Sequence, residues 1–149
     1  MTERLNYFKT APQAMETLFN QEAYFNEAFK DKKILWELVK LRVSQINQCA
    51  FCIDMHSKAT LELGETKERI FGLNAWRDMP LYSEAELSAL HWAELQISNK
   101  PITDGNYQQT LAVLGGKLLV DLTIAINAIN SWNKIVKAFK PAVGSFSVN

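Results

Sequence analysis

The sequence predicts an all-helical protein, and three observations lead to that fold class. Apolar residues recur at the three- and four-residue spacing of a helix along most of the chain. No run of alternating β-branched residues lies between turn signals, as a half-buried strand would require. Helix start and stop signals divide the chain into segments of helical length. We therefore expect a bundle of about six to seven helices.

The first four helices are predicted from a start signal, apolar runs and a stop signal. Thr10 and Gln13 form a capping box, with Pro12 in the first helical turn. Gly64 is the kind of residue with which helices commonly end. The predicted ranges are 10–29, 34–43, 49–63 and 65–76.

The last three helices have clearer boundaries. Ser83 and Glu86 form a second capping box, and Pro101 stops the helix that they begin. Thr103 opens a short helix, which Gly115 ends. The predicted ranges are 83–98, 103–115 and 117–139.

The last predicted helix has the most regular apolar pattern of the chain. Its apolar residues follow one another at alternating steps of four and three: Leu118, Leu122, Ala125, Ile129, Trp132, Val136 and Phe139. Such a seam belongs either to a central core helix or to a surface shared with another subunit. The residues alone leave both interpretations open.

Length and charge narrow the class of protein. A chain of 149 residues is the size of one domain, so we expect a single domain over 1–149, with its core over about 5–139. Sixteen basic and sixteen acidic residues cancel, and no Lys/Arg cluster forms a stripe for nucleic acid. No apolar run is long enough for a secretory signal or a membrane span. We expect a cytoplasmic protein without nucleic-acid or membrane partners.

The segment QCAFCIDMH, residues 48–56, holds both cysteines of the chain and one of its two histidines. On a helix, Cys52 and His56 lie about 60° and 20° from Cys49, within one narrow face. Cysteines three residues apart at the start of a helix can close a disulfide. In a reducing compartment, such a pair is more often catalytic, redox-sensing or metal-binding than a structural crosslink.

The residues alone do not decide what this pair does. The helix dipole favours a thiolate at Cys49, whereas His56 is best placed to take the proton of Cys52. A zinc site would need a fourth ligand, which His91 or a carboxylate would have to supply. Two inert, buried cysteines are the remaining interpretation.

The role of Glu37, on the second predicted helix, depends on the turn that follows it. If the chain reverses within 44–48, an antiparallel hairpin places Glu37 level with His56, where a carboxylate orients the imidazole. The alternative is an ordinary solvated glutamate. His91 and Glu94, three residues apart on a later helix, are expected to form a local polar pair outside this site.

The order Glu37, Cys49, Cys52 and His56, within ELVKLRVSQINQCAFCIDMH, resembles the carboxymuconolactone decarboxylase superfamily, specifically its alkylhydroperoxidase D-like branch. The similarity extends to residues 57–59, 64, 76–77, 82–87 and 126–130. It therefore covers much of the chain from Leu5 to Trp132. The resemblance implies an all-helical domain that forms homo-oligomers, as dimers, trimers or larger rings such as hexamers.

The resemblance also implies an activity and a role for each residue of the motif. Cys52 would attack a small-molecule hydroperoxide, Cys49 would resolve the product as a disulfide, and His56 would be the base for Cys52, tuned by Glu37. An external thiol or dithiol would restore the pair, without cofactor or metal. The well-described peroxidases of this branch carry a histidine between the cysteines, where this chain has Phe51. This departure bears on peroxidase efficiency and on the choice of reductant.

Two other functions are compatible with the superfamily. Lactone decarboxylation gives the superfamily its name, but members with that activity generally lack the cysteine pair. A redox sensor, in which the disulfide changes an interaction surface of an oligomeric module, would oxidise once per chain. An enzyme would instead consume hydroperoxide over many turnovers.

Overall fold

The computed structural model describes residues 4–98 and 100–147, and every regular element in these ranges is helical. The predicted all-α fold class is confirmed. The α-helices are α1 (Tyr7–Thr10), α2 (Pro12–Ala28), α3 (Lys33–Ile46), α4 (Ala50–Glu62), α5 (Lys67–Gly72), α6 (Glu84–Ile97), α7 (Asp104–Leu114) and α8 (Gly116–Phe139). A 3₁₀ helix at Leu73–Asp78 follows α5. The short helix α1 was not predicted from the sequence.

The predicted boundaries of the last three helices agree closely with the structure. The hydroxyl of Ser83 accepts the backbone N–H of Glu86 at 3.3 Å, and the Glu86 carboxylate accepts that of Ser83 at 2.7 Å, so the capping box is complete. Gly115 separates α7 from α8 with a φ of 76°, which glycine adopts without strain. No single helix in the described ranges is long and apolar enough to cross a membrane. The pair formed by α7 and α8 reaches the required length and composition, with a bend of 114° between them.

The predicted start of the first long helix is wrong. Thr10 belongs to α1, and its hydroxyl donates to the carbonyl of Asn6 at 2.8 Å. Asn6 caps this short helix by accepting the backbone N–H of Lys9 at 3.1 Å. Helix α2 therefore begins at Pro12, after Ala11, without a side-chain cap.

The predicted helix over 65–76 consists of two elements. Helix α5 ends at Gly72, and the 3₁₀ helix that follows is kinked at Ala75, where φ is −116° and ψ is 29°. Beyond the kink, the indole N–H of Trp76 donates to the Glu94 carboxylate at 2.8 Å, and the Arg77 guanidinium lies 2.6 Å from it. These contacts with α6 prevail over the local preference for a continuous helix.

Helix α3 lies at the centre of the bundle, where it packs against α4, α6 and α8. Its buried residues are Leu35, Trp36, Leu38, Val39, Leu41, Val43 and Ser44. The helix continues to Ile46, beyond its predicted end at 43, so the chain reverses over residues 47–49. This reversal lies at the end of the predicted turn and produces the α3–α4 hairpin on which the candidate site is built.

The apolar seam of α8 lies mostly inside the protein. Leu122, Ala125, Ile129 and Val136 are buried, which confirms its interpretation as a core surface. Two apolar residues on a different side of α8, Val120 and Ile124, are instead 58% and 51% exposed. Assembly into oligomers stays a prediction.

Candidate active site

The two cysteines occupy the start of α4. Cys49 is the N-cap residue of this helix, and Cys52 lies in its first turn. A disulfide joins them, with their Cα atoms 5.3 Å apart, and each residue is 1% exposed. The predicted ability of the two sulfurs to reach one another is confirmed.

A cluster of polar side chains fixes the turn between α3 and α4. The side-chain amide of Asn47 donates to Oδ1 of both Asn130 and Asn133, at 3.0 Å each. Asn133 in turn donates to the hydroxyl of Ser44 at 3.1 Å. The backbone carbonyl of Ser44 accepts the N–H of Cys49 at 3.0 Å. Helix α8 therefore holds the turn in place, and with it the first cysteine.

The α3–α4 hairpin brings Glu37 and His56 into contact. Nδ1 of His56 lies 3.0 Å from Oε2 of Glu37, which confirms the predicted antiparallel arrangement. The side chain of Glu37 is 14% exposed, so its interpretation as a solvated surface residue is wrong. Nε2, the other ring nitrogen of His56, is buried and has no hydrogen-bond partner.

This contact fixes the tautomer of the neutral imidazole. A carboxylate can only accept a hydrogen bond, so Nδ1 carries the hydrogen and Nε2 keeps its lone pair. His56 follows Cys52 by one helical turn, and both residues line the same cavity. Nε2 is therefore the atom of His56 that is available to accept a proton.

Lys40 is the third member of this buried charged group. Its ammonium donates to Oε1 of Glu37 at 2.5 Å and lies 5.1 Å from the centre of the Trp36 ring. Burial raises the pKa of Glu37, but the hydrogen bond from His56 and the charge of Lys40 outweigh burial and hold this pKa below 4.5. Burial lowers the pKa of His56 below 6.5, and the charge of Lys40 adds to this effect against the opposing hydrogen bond to Glu37. At neutral pH, Glu37 is therefore ionised and His56 is neutral.

A cavity of about 520 Å³ opens beside Cys52 and His56, and we call it the Cys52 cavity. Aromatic side chains from both ends of the chain and from α4 line it: Tyr7, Phe8, Phe19, Phe51, Trp132 and Phe146. The rings of Phe8 and Phe19 lie 5.9 Å apart, and those of Phe19 and Trp132 lie 5.8 Å apart. These contacts connect the N-terminal helices to α8 across one side of the cavity.

The Cys52 cavity also contains a second acidic residue, Glu22. Its carboxylate accepts the indole N–H of Trp132 at 3.0 Å. Burial raises the pKa of Glu22, against the opposing charge of Lys40 and the bond from Trp132. The cavity is thus apolar over much of its wall, and its acidic, basic and imidazole side chains lie on α2, α3 and α4.

Both terminal segments are attached around this cavity. The ammonium of Lys58 donates to the backbone carbonyl of Phe146 at 3.1 Å, which fixes the segment after α8 against α4. The backbone N–H of Arg4 donates to the carbonyl of Phe139 at 3.1 Å, and its guanidinium donates to that of Ala138 at 2.9 Å. The aromatic wall is therefore anchored at both ends.

The structure brings all four predicted site residues, Glu37, Cys49, Cys52 and His56, onto one hairpin. Lys40 and Glu22 were not predicted as members of the site. For Lys40 a signal existed, because it follows Glu37 at helical spacing on the same face. Glu22 lies on another helix, and no local pattern connects it to the cysteines.

His91 lies outside this site, and its predicted pairing with Glu94 is wrong. The Glu94 carboxylate accepts from Trp76 and Arg42 at 2.8 Å each, while Nδ1 of His91 lies 3.5 Å from the Arg77 guanidinium. These partners lie on other elements, which the spacing along one helix could not reveal. In residues 4–98 and 100–147, no group of three or more His, Cys, Asp or Glu side chains could hold a metal ion.

Comparison with known proteins identifies one family. The model of the carboxymuconolactone decarboxylase family matches residues 11–95, a range that contains the four predicted site residues. YdfG of Bacillus subtilis (strain 168), an uncharacterized protein, is 39% identical over 137 residues, which cover 91% of this chain and 92% of YdfG. YnjA of Escherichia coli (strain K12), also uncharacterized, is 30% identical over 98 residues, which cover 65% of this chain and 54% of YnjA.

A solved structure has the same fold. It is the crystal structure of a protein of unknown function from Agrobacterium tumefaciens, for which an identity as the antioxidant defence protein AhpD is proposed. The two chains are 32% identical and superpose with a TM-score of 0.87, over 99% of this chain and 100% of the other. The similarity confirms the AhpD-like, all-helical architecture.

Proposed function

This chain belongs to the carboxymuconolactone decarboxylase family, and on that premise we propose that it is a thiol-dependent peroxidase of the alkylhydroperoxidase D-like branch. It reduces organic hydroperoxides to alcohols through Cys49 and Cys52, and an external thiol then restores the pair. The similarity to a protein proposed to act in antioxidant defence supports this role.

One geometric feature carries the proposal. His56 directs Nδ1 to Glu37 at 3.0 Å and leaves Nε2 without a hydrogen-bond partner. In the reduced protein, Nε2 takes the proton of the Cys52 thiol, and the Glu37 carboxylate stabilises the imidazolium that forms. The thiolate, not the thiol, is the form of cysteine that attacks a peroxide.

The reaction proceeds in three steps. The Cys52 thiolate attacks the terminal oxygen of the hydroperoxide, the O–O bond breaks, and the departing alkoxide takes the proton held by His56. Cys52 is then a sulfenic acid, and the thiol of Cys49 attacks its sulfur to form the disulfide and release water. Two equivalents of an external thiol, or one dithiol, then supply two electrons and return both cysteines to their reduced form.

The lining of the Cys52 cavity supports the assignment of Cys52 as the nucleophile. Cys52 lines the cavity that contains His56, and Cys49 does not. The helix N-terminus would favour a thiolate at the buried Cys49 by about 2 kcal/mol at most. An oriented base contributes about 10²–10⁴-fold in rate, which is the larger effect.

The aromatic wall of the Cys52 cavity supports an organic substrate. Its volume of about 520 Å³ lies within the usual range for sites that bind small molecules. An apolar chain or ring gains free energy by leaving water for such a wall, whereas hydrogen peroxide has no apolar surface to bury. The proposed substrate is therefore a hydroperoxide with an apolar carbon group.

The proposal is tested by hydroperoxide consumption in the presence of dithiothreitol. We expect the wild-type protein to reduce many equivalents of cumene hydroperoxide, and Cys52→Ala to lose this activity. Cys49→Ala should react once and leave a sulfenic acid at Cys52 that a dimedone-type reagent traps. The control, Lys67→Gln on the exposed surface of α5, should retain full turnover.

Three results would contradict parts of this proposal. Oxidation that stops after one equivalent per chain would support a redox sensor in place of an enzyme. A sulfenic acid that forms at Cys49 in Cys52→Ala, with none at Cys52 in Cys49→Ala, would exchange the two roles. If hydroperoxide leaves both thiols intact, the peroxidase assignment is wrong.

A further inference from the structure

A second cavity, of about 530 Å³, lies beside the first cysteine, and we call it the Cys49 cavity. Cys49 lines this cavity and Cys52 does not, whereas the reverse holds for the Cys52 cavity. Phe51 and Val136 pack against both cysteines and contribute to the walls of both cavities. The two cysteines of one disulfide therefore line different cavities.

The charge of the Cys49 cavity is positive. Lys137 and Lys140, at the end of α8, line it, and no acidic side chain from the described part of the chain does so. The ammonium of Lys137 donates to the backbone carbonyl of Asn47 at 2.7 Å, which holds it beside the turn that precedes Cys49. Apolar residues at 141–143 complete this end of the wall.

We propose that the Cys49 cavity binds the reductant, that this reductant is a small thiol carrying a carboxylate, and that the cavity directs its attack to Sγ of Cys49. The cavity has the size of a small-molecule site. The two ammonium groups attract both the carboxylate and the reacting thiolate, and the apolar residues accommodate the carbon chain. The inference rests on the disulfide cycle proposed above, but the step that it describes requires no hydroperoxide.

Access from this cavity determines which sulfur leaves. In thiol–disulfide exchange the attacking thiolate approaches in line with the S–S bond, so the sulfur that it meets is attacked and the other departs. A thiolate in the Cys49 cavity forms a mixed disulfide with Cys49, and Cys52 leaves with the electron pair of the broken bond. Cys52 is thereby released as a thiolate on the side of His56, in the form that attacks the next hydroperoxide.

The second half of the reduction completes the electron balance. Another thiolate attacks the reductant sulfur of the mixed disulfide, and Cys49 leaves and takes up a proton from solvent. Two reductant thiols have then become one disulfide and have supplied two electrons. A molecule that carries both thiols completes this step without a second encounter.

The test starts from the oxidised protein without hydroperoxide and measures how fast protein thiols appear. The probes are 3-mercaptopropionate, which carries a negative charge, 2-mercaptoethanol, which is neutral, and cysteamine, which is positive. Each is compared between the wild-type protein and the double variant Lys137→Gln/Lys140→Gln, so that the chemistry of the thiol itself cancels. The control is Lys32→Gln/Lys67→Gln, which removes two exposed lysines that do not line the cavity.

We expect the double variant to react with 3-mercaptopropionate roughly five to ten times more slowly than the wild type, with 2-mercaptoethanol about equally fast, and with cysteamine at least as fast. The control should lose less than about twofold with every probe. An equal loss with all three thiols in the double variant would show no selection by charge and would overturn the reductant site, as would no loss with any of them.

The site of attack is determined separately by mass spectrometry. Brief reaction with 3-mercaptopropionate followed by alkylation should give Cys49 bearing the added thiol and Cys52 bearing the alkyl group. The opposite labelling would overturn the inference, whatever the charge dependence. Because these measurements use no peroxide, they remain valid if the protein fails to turn over hydroperoxide, and a positive turnover assay does not imply their outcome.

Discussion

His56 determines the pH range in which the proposed site works. Burial lowers the pKa of this residue below 6.5, the charge of Lys40 lowers it further, and Glu37 acts in the opposite direction. At neutral pH the imidazole is therefore uncharged, with Nε2 able to accept a proton. It loses this capacity only as the pH falls through the pKa of the folded protein, which burial holds below the ordinary value for histidine.

Substitutions of His56 and Glu37 should separate the role of the base, His56, from that of the carboxylate that tunes it, Glu37. His56→Ala should slow the reaction of Cys52 with hydroperoxide by about 10²-fold or more, because it removes the base. Glu37→Gln keeps an oxygen near Nδ1 but removes the charge, so we expect a smaller loss of about tenfold. It also removes a group that raises the pKa of His56, so the acid limb of the rate profile should move to lower pH. Stopped-flow oxidation of the reduced variants across this range measures both effects.

The matched control for this prediction is Glu16→Gln, an exposed glutamate on α2 that does not line the Cys52 cavity. It should change neither the rate nor the acid limb. If Glu37→Gln lowers the rate but leaves the acid limb in place, Glu37 supports the hairpin without tuning His56. Equal rates for wild type and His56→Ala would remove the base from the mechanism.

Among the helices, the contact between α8 and the α3–α4 turn positions the first cysteine. Asn133 is fully buried there, and its side chain bonds both Asn47 and Ser44. Asn133→Ala would remove both bonds from this buried cluster and leave Asn47 bonded to Asn130 alone, which we expect to cost about 1–3 kcal/mol in the free energy of unfolding. Asn127→Ala, on an exposed part of the same helix, should change it by less than about 0.5 kcal/mol. Urea denaturation compares the two, and equal losses would show that the buried cluster has no special role.

Helix boundaries that depend on neighbouring residues could be predicted from the sequence. Boundaries and kinks that depend on contacts with distant residues could not. The capping box at Ser83 satisfies backbone groups within its own helix, so four residues are sufficient to locate that start. The kink at Ala75 occurs where the chain meets Glu94 on α6, a contact that no nearby residue indicates. The candidate site follows the same rule. Its hairpin residues were predicted from their spacing together with the family resemblance, whereas Phe19 and Phe146 reach the cavity only through the tertiary fold.

For the molecule as a whole, the buried pair of Glu37 and His56 should make stability depend on pH. Both pKa values are lower than the ordinary values of 4.5 and 6.5, so at these two groups the folded protein binds fewer protons than the unfolded chain. The contribution of His56 to the free energy of unfolding is complete above pH 6.5 and is lost as the pH falls through its folded pKa. The contribution of Glu37 is complete above pH 4.5 and is lost as the pH falls through its own folded pKa. Glu22, with its raised pKa, acts in the opposite direction, since its contribution is lost as the pH rises.

The part of this dependence that belongs to His56 can be isolated by substitution. We expect the free energy of unfolding of the wild-type protein to fall more steeply between about pH 7.5 and 5 than that of His56→Gln, which cannot take up the proton. Urea denaturation of the disulfide-bonded proteins provides the measurement. His91→Gln leaves the Glu37–His56 pair in place and should follow the wild type. Parallel curves for wild type and His56→Gln would contradict the prediction.

The last prediction concerns assembly. Because the seam of α8 is occupied by the core, an interface between copies has to use other apolar side chains. Val120 and Ile124 lie one helical turn apart on α8 and are exposed. Tyr24 is also exposed, and its hydroxyl donates to Asp121 on the same helix at 2.9 Å. Together with the oligomers that the family resemblance implies, this surface leads us to expect at least a dimer at micromolar concentration.

Light scattering should therefore give a mass at least twice the 17.0 kDa of the chain. Val120→Lys/Ile124→Lys should lower the mass towards that of the monomer without unfolding the protein, because both side chains already face solvent in the isolated chain. Phe71→Lys is the control, because Phe71 is 77% exposed but lies on α5. A wild-type mass of 17.0 kDa would contradict the prediction, and loss of assembly in Phe71→Lys alone would place the interface on α5.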